Sequence, residues 1–63
     1  MRLNSFLALL VESVEIRIFD ADLNLVYKGY SEDIFDSIDD EDDVLERTVN
    51  SIHPGVVTSI YLW

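Results

Sequence analysis

The sequence predicts an α+β fold, in which an N-terminal helix and one or two short helices in an acidic segment pack on a small antiparallel sheet of three or four strands. Three observations predict it. Apolar residues recur at helical spacing near the start of the chain, alternate with polar residues further on, and form short groups inside the acidic segment. With 63 residues, of which 49% are hydrophobic, the chain makes one folded domain over residues 1–63.

The first predicted element is a helix that has Asn4 or Ser5 as its cap and runs to about Glu12. Residues spaced three or four apart form its apolar face, and two further residues widen that face. The face comprises Leu3, Phe6, Leu7 and Leu10, widened by Leu9 and Val11. We therefore expect this helix to be largely buried, against the sheet or in a partner.

We expect the apolar start of the chain to be neither a secretory signal nor a membrane-spanning helix. Its uninterrupted apolar run covers residues 6–11, whereas the core of a secretory signal takes about 7–15 apolar residues and a membrane-spanning helix takes about 20. The sequence contains no cysteine, which fits a reducing compartment. These features favour a cytoplasmic protein.

A β-hairpin is expected after the helix. In Val14–Asp20, apolar residues alternate with charged ones, which is typical of a half-buried strand. Asp20–Asn24 contains turn-forming Asp and Asn residues, and Leu25–Tyr30 provides the second strand. Phe19 lies on the face opposite to the apolar residues of the first strand, so we expect it to be covered by another element or exposed for binding.

We expect one or two short helices in the acidic segment, Glu32–Glu46. Ser31 is the expected cap of the first helix, which should break near Asp39–Asp40 because its continuation would bury the unpaired carboxylates of Glu41 and Asp42. A second short helix can follow. The apolar residues of the first are Ile34, Phe35 and Ile38, and those of the second are Val44 and Leu45.

Two further strands are expected near the end of the sequence. The β-branched residues of Thr48–His53 favour a strand, although the spacing of its apolar residues leaves a helix open. Pro54-Gly55 marks a turn, and Val57–Leu62 is the last strand. On that strand, Ile60 and Leu62 point to one face, and Ser59, Tyr61 and Trp63 point to the other.

The window Glu32–Glu46 accounts for the net charge of −9, because the acidic residues elsewhere are balanced by the four Lys and Arg residues. The window contains no basic residue, and its acidic residues are Glu32, Asp33, Asp36, Asp39, Asp40, Glu41, Asp42, Asp43 and Glu46. Such a surface repels nucleic acid and membranes and attracts basic protein surfaces. We therefore expect these nine residues to bind a basic protein, and we expect no direct contact with nucleic acid or membranes.

The spacing of these acidic residues suggests that the usual ligand of the partner is a nucleic acid. Side chains that recur every three or four residues on helical backbone lie about 5–6 Å apart, and duplex DNA presents about one negative charge per 1.7 Å of axis, spread over two strands. A row of carboxylates could therefore occupy a groove of Arg and Lys side chains that normally holds phosphates. The alternative is that the acidic segment only keeps a small hydrophobic protein soluble.

No catalytic, cofactor or metal motif is present, and we expect neither an enzyme nor a cofactor. Asp20, Asp22 and Asn24 match the first three ligand positions of a calcium loop, but the sixth-position Gly is Leu25 and the twelfth-position Glu is Ser31. A polar hairpin turn is the favoured interpretation. His53, the only histidine, precedes Pro54-Gly55 and is expected to be a turn residue.

A second interaction surface is possible on the sheet. Aromatic residues are enriched at binding hot spots, and four residues could form an apolar interface in a homodimer or with a larger partner. These residues are Phe19, Val26, Tyr61 and Trp63. The alternative is that Tyr61 and Trp63 cover the second face of the sheet or the first helix.

The whole chain resembles the small acidic proteins encoded by phages and other mobile elements of bacteria. The resemblance lies in the short N-terminal helix, the alternating strand at Val14–Asp20, the hairpin arm at Asp22–Gly29 and the terminal strand Ile60-Tyr61-Leu62. Some proteins of this kind inhibit host defence systems, including anti-CRISPR proteins that imitate DNA. The resemblance implies a cytoplasmic inhibitor in a bacterial host and assigns a role to no individual residue.

Overall fold

A computed structural model describes residues 1–38 and 43–63, and it confirms the α+β class with four strands. A short helix α1 (Leu3–Ala8) precedes the strands β1 (Glu15–Phe19) and β2 (Leu25–Tyr30). Two helical turns follow, α2 (Ile34–Ser37) and the 3₁₀ helix η1 (Asp43–Glu46). The strands β3 (Val49–His53) and β4 (Thr58–Leu62) complete the domain.

The sheet is mixed, with the strand order β2-β1-β4-β3. Its two hairpins, β1 with β2 and β3 with β4, are antiparallel, but the inner strands β1 and β4 run parallel. The expectation of a wholly antiparallel sheet was therefore wrong. Alternation of apolar residues indicates a strand but not its direction, and only the long connection from β1 to β4 makes parallel pairing possible.

The hydrophobic core lies on one face of this sheet. The inner strands contribute side chains that are almost wholly inaccessible to solvent, and each helical element adds one or two more. The core comprises Ile16, Ile18, Tyr27, Ile60 and Leu62 from the strands, with Leu3, Leu7, Ile34 and Val44 from the helices. Each buried Leu, Ile or Val contributes roughly 1.5–3 kcal/mol relative to an exposed one, so this single layer supplies most of the stabilisation.

Helix α1 is shorter than the sequence predicts, although two residues of its predicted apolar face are buried. Its apolar stripe is buried at Leu3 and Leu7, but Leu9 and Val11 are 65% and 98% exposed and do not widen it. The helix begins after Arg2, with no side-chain cap. Backbone pairing sets this start, because the Leu3 N–H donates to the Arg47 carbonyl over 2.9 Å.

Ser31 does not cap α2 as expected. Its hydroxyl accepts a hydrogen bond from the Val14 N–H at 3.0 Å, and its own N–H donates to the Val14 carbonyl at 2.8 Å. Ser31 thus ties the end of β2 to the start of β1. The residue at the start of α2 is Asp33, which makes no side-chain capping bond.

The acidic segment forms two short helical elements, as predicted. Helix α2 ends at Ser37, and Ile38 has extended backbone. The predicted break at Asp39–Asp40, and the argument on Glu41 and Asp42, fall outside the described residues. The second short helix is η1, whose Val44 is buried while Leu45 is half-buried.

The ambiguity at Thr48–His53 resolves to strand β3, and the last strand has the predicted faces. The Thr48 carbonyl also accepts a hydrogen bond from the Trp63 N–H at 3.0 Å. Among residues 1–38 and 43–63, no helix has the length and apolar character needed to cross a bilayer.

Tyr27 packs over Gly29 on the core side of β2. The Tyr27 hydroxyl donates to the carbonyl of Tyr30 at 2.8 Å. A Cβ atom on Gly29 would lie 2.7 Å from the Tyr27 Oη atom, which no relaxed contact allows. Because Gly29 has no Cβ atom, the Tyr27 ring and hydroxyl can occupy the space above it.

Replacing Gly29 with Ala should destabilise the fold by about 1–3 kcal/mol, because the Tyr27 ring must move from its place. Gly55→Ala is the matched control, since a Cβ atom there would meet only the Val57 carbonyl at an ordinary 3.5 Å. The control should change the free energy of unfolding by less than about 0.5 kcal/mol. Urea denaturation of the two variants measures both values, and equal losses would contradict this account.

The Tyr27 hydroxyl also makes stability depend on pH. Burial raises the pKa of Tyr27 above its usual value of 10.0, and the charge of Asp33 adds to this rise. A raised pKa in the folded state contributes stability that is fully present below the unfolded pKa and is lost as the pH rises through the folded pKa. We therefore expect the free energy of unfolding to fall more steeply above about pH 10 in the native chain than in Tyr27→Phe.

Urea denaturation at about pH 8 and at about pH 11 tests this prediction. At the lower pH, Tyr27→Phe should cost about 1 kcal/mol for the lost hydrogen bond, and the difference should narrow at the higher pH. A constant difference between the two proteins would argue against a role for Tyr27 ionisation.

Candidate protein-binding surfaces

Five of the predicted acidic residues lie on the described part of the acidic segment, and all five are exposed. We call them the acidic surface: Glu32, Asp33, Asp36, Asp43 and Glu46. Their neighbours Ile34 and Val44 are buried in the core. The other four predicted residues, Asp39, Asp40, Glu41 and Asp42, lie outside the described residues.

The topology explains where this surface sits. Strands β2 and β3 are the two edges of the sheet, so the chain between them must pass from one edge to the other. The described parts of this connection, α2 and η1, lie on the side of the core, because Ile34 and Val44 belong to the same buried cluster. The carboxylates therefore face solvent on the helical side of the sheet.

Little of this charge is neutralised within the described part of the chain. There the one ion pair joins Arg47 to Asp43, with 3.6 Å between Nε and Oδ1, and both side chains are substantially exposed. An exposed pair of this kind contributes about 0–1 kcal/mol. The acidic surface consequently keeps most of its attraction for an external cation.

The residues resembling a calcium loop form a hairpin turn, as favoured from the sequence. The Asp20 Oδ1 atom accepts hydrogen bonds from the N–H groups of Asp22 and Asn24, both at 2.9 Å. The bond from Asn24 is the main reason why the pKa of Asp20 is lowered. Leu23 has a φ of 65°, a left-handed conformation that glycine usually adopts in such turns.

Neither the hairpin turn nor any other part of the described chain groups three or more side chains able to hold a metal ion. His53 is the last residue of β3 and not part of a turn, so that expectation was wrong. Its ring meets the edge of Tyr61, with 5.1 Å between ring centroids.

The second face of the sheet carries the aromatic residues that the sequence singled out. Phe19 and Tyr61 are register partners on the inner strands, and their rings stack with 5.0 Å between centroids. Both are only half-buried, and Trp63 is 68% exposed. The helices pack on the opposite face, so Tyr61 lies over the second face of the sheet, against Phe19, as the alternative interpretation expected.

Val26 does not join this aromatic group. Ile18 pairs with Tyr27 and Phe19 pairs with Leu25, so Val26 is the extra residue of a β-bulge. Its half-buried side chain packs against the core. The bulge changes the alternation that would otherwise have placed Val26 beside Phe19.

The second face is also where two basic residues meet. Arg17 and Lys28 are exposed and directly opposite each other on β1 and β2. Like charges in such positions repel weakly. The uncovered side of the sheet thus carries the aromatic pair and two basic residues, with Glu15 on the same face of β1 as Arg17.

A shallow groove that sequence reasoning did not anticipate lies between the end of α1 and the start of α2. Leu10, Val11 and Phe35 are among its apolar lining residues. One sequence feature could have indicated the groove: apolar residues continue beyond Ala8, where α1 ends. Their helical spacing had predicted a place for Leu10 and Val11 on a buried helix face instead.

Comparison with known proteins adds no relative: no protein-family model, curated protein or solved structure matches the chain.

Proposed function

We propose that this chain is a small acidic protein-binding inhibitor that docks its acidic surface onto the basic nucleic-acid-binding groove of a host defence or nucleic-acid-handling protein. It would act there as a DNA mimic in the cytoplasm of a bacterial host, encoded by a phage or another mobile element. The observation that carries the proposal is the exposure of Glu32, Asp33, Asp36, Asp43 and Glu46 on a segment anchored by two buried apolar residues.

The anchoring matters because it fixes the backbone that bears the charges. Ile34 and Val44 are 0% and 2% exposed, so α2 and η1 are held against the core while their carboxylates point outward. Binding through this surface therefore costs less conformational entropy than binding through a disordered acidic tail, because the segment is already ordered. A DNA-binding groove selects such a fixed array of acceptors.

Electrostatics supports the same partner class. Opposite charges steer two proteins together and raise the association rate, and salt screens this attraction. The sequence carries 13 acidic against four basic residues. Inside a basic groove, each carboxylate can accept charge-assisted hydrogen bonds from Arg or Lys in place of a phosphate oxygen.

Removing charge from the acidic segment should abolish binding without unfolding the chain. We expect the combined replacement of Asp39, Asp40, Asp42 and Asp43 with Asn to weaken affinity for the partner on the order of a hundredfold or more. The test captures proteins from a bacterial lysate at low and moderate salt, identifies those that bind duplex DNA, and measures the affinity of the purified pair. Duplex DNA should compete with the native chain.

A matched pair of double variants separates position from total charge. Asp36→Asn with Glu46→Gln removes two charges from the acidic surface, whereas Glu15→Gln with Asp22→Asn removes two from elsewhere. Only the first pair should weaken binding strongly. The proposal would be overturned if the variant with Asn at positions 39, 40, 42 and 43 bound with unchanged affinity. It would also be overturned if the partner bound DNA and this chain at the same time.

The stacked aromatic residues favour a second candidate, a homo-oligomeric accessory or structural protein whose acidic segment is only solubilising. Phe19, Tyr61 and Trp63 lie on a sheet face that no helix of the described chain covers. An uncovered, partly apolar sheet face is a typical site of self-association. In this case the contact surface is the sheet and not the acidic segment.

If the second candidate holds, the native chain should sediment as a dimer or larger species at micromolar concentration. Tyr61→Ser and Trp63→Ser should each return it to a monomer, because each removes aromatic area from the interface. Leu9→Ser is the control, since Leu9 is exposed but belongs to neither the sheet nor the interface. A native monomer whose mass does not change with concentration would exclude this candidate.

A further inference from the structure

The groove beside α1 is lined by both apolar and acidic residues. It has a volume of about 240 Å³ and lies between Leu7, Leu10 and Val11 on one side and Phe35 on the other. Glu12 and Glu32 also line it, together with Ser13 and Ser31. This volume accommodates one or two side chains of a partner rather than a free-standing small molecule, for which pockets are usually about 300–1,000 Å³.

Two of the lining residues are unusually exposed for their type. Val11 is 98% exposed and Phe35 is 57% exposed, although both are large apolar residues. Scattered single apolar residues on a surface need no explanation, but neighbouring ones around a concavity mark an interaction site. The fold does not require either position to be apolar, because α1 ends at Ala8 and α2 is anchored by Ile34.

The charge around the groove indicates what can enter it. The ionisable residues that line it are both acidic, Glu12 and Glu32. The exposed Asp36 follows Phe35 directly in sequence, and the exposed Asp33 precedes it by two residues. An acidic or neutral peptide would leave these carboxylates without a counter-charge. A complementary partner places an apolar side chain in the groove and Arg or Lys on either side of it.

We propose that this groove is the apolar anchor point of the interface, and that it receives a Leu-like or Phe-like side chain flanked by basic residues of the partner protein. This inference rests on the proposed binding of a basic protein and deepens it. Charge complementarity mainly sets association rate and orientation, whereas buried apolar contacts dominate the hot spots that slow dissociation. Phe35 lies beside the acidic surface, so one partner can use both.

Two synthetic peptides serve as probes. They have the same length and the same number of arginines, but one carries a central pair of leucines and the other a central pair of serines. Isothermal titration should show that the leucine peptide binds the native chain about tenfold more tightly, as expected for partial burial of one leucine. Phe35→Ser should remove this preference. Val56→Ser, which changes a fully exposed apolar residue outside the groove, should retain it.

The ratio of the two affinities tests the groove, and the serine peptide alone tests the acidic surface. Equal affinities in the native chain, or a preference that survives Phe35→Ser, would overturn the groove even if both peptides bind in a salt-dependent way. Serine-peptide binding that does not respond to salt or to Asp36→Asn would instead count against the acidic surface. A leucine preference that persists in that situation would still support the groove.

Discussion

Burial on a single face of the two inner strands is the constraint on which the rest of the structure depends. Ile16, Ile18, Ile60 and Leu62 leave almost no area exposed, and every helical element of the described chain adds its apolar residue to the same layer. A domain of this size buries only about 60% of the surface of its unfolded chain, and here the buried side chains form one layer. Its sheet therefore has one covered side and one side open to contact.

That asymmetry also separates the charges. The described parts of the acidic segment, α2 and η1, lie on the covered side, where Ile34 and Val44 are buried and the carboxylates of the acidic surface are exposed. Arg17 and Lys28 lie on strands but on the open side. These two basic residues are therefore separated by the sheet from the acidic surface, and on that surface only Asp43 has an ion-pair partner within the described chain.

Much of this arrangement follows from the sequence, and the exceptions have identifiable causes. Alternation in β1 and β4 predicted strands and faces, and the turn at Asp20–Asn24 followed from its Asp and Asn residues. Among the features that did not follow are the parallel pairing of the inner strands and the start of α1. Both depend on contacts between residues distant in sequence, such as Leu3 with Arg47, which local patterns do not encode. The bulge at Val26 lies within a local hairpin, but the alternation of residue types does not reveal an extra residue in one strand.

The acidic surface was predictable in composition but not in its surroundings. The carboxylates could be counted from the sequence, whereas the groove that lies beside them forms only when the end of α1 meets α2. Grouped carboxylates repel one another and oppose compaction of the segment, and burial of Ile34 and Val44 offsets that repulsion. A cationic partner would relieve it further. Binding and folding of this segment are therefore linked: any basic molecule that binds the folded surface more tightly than the unfolded chain must also stabilise the domain.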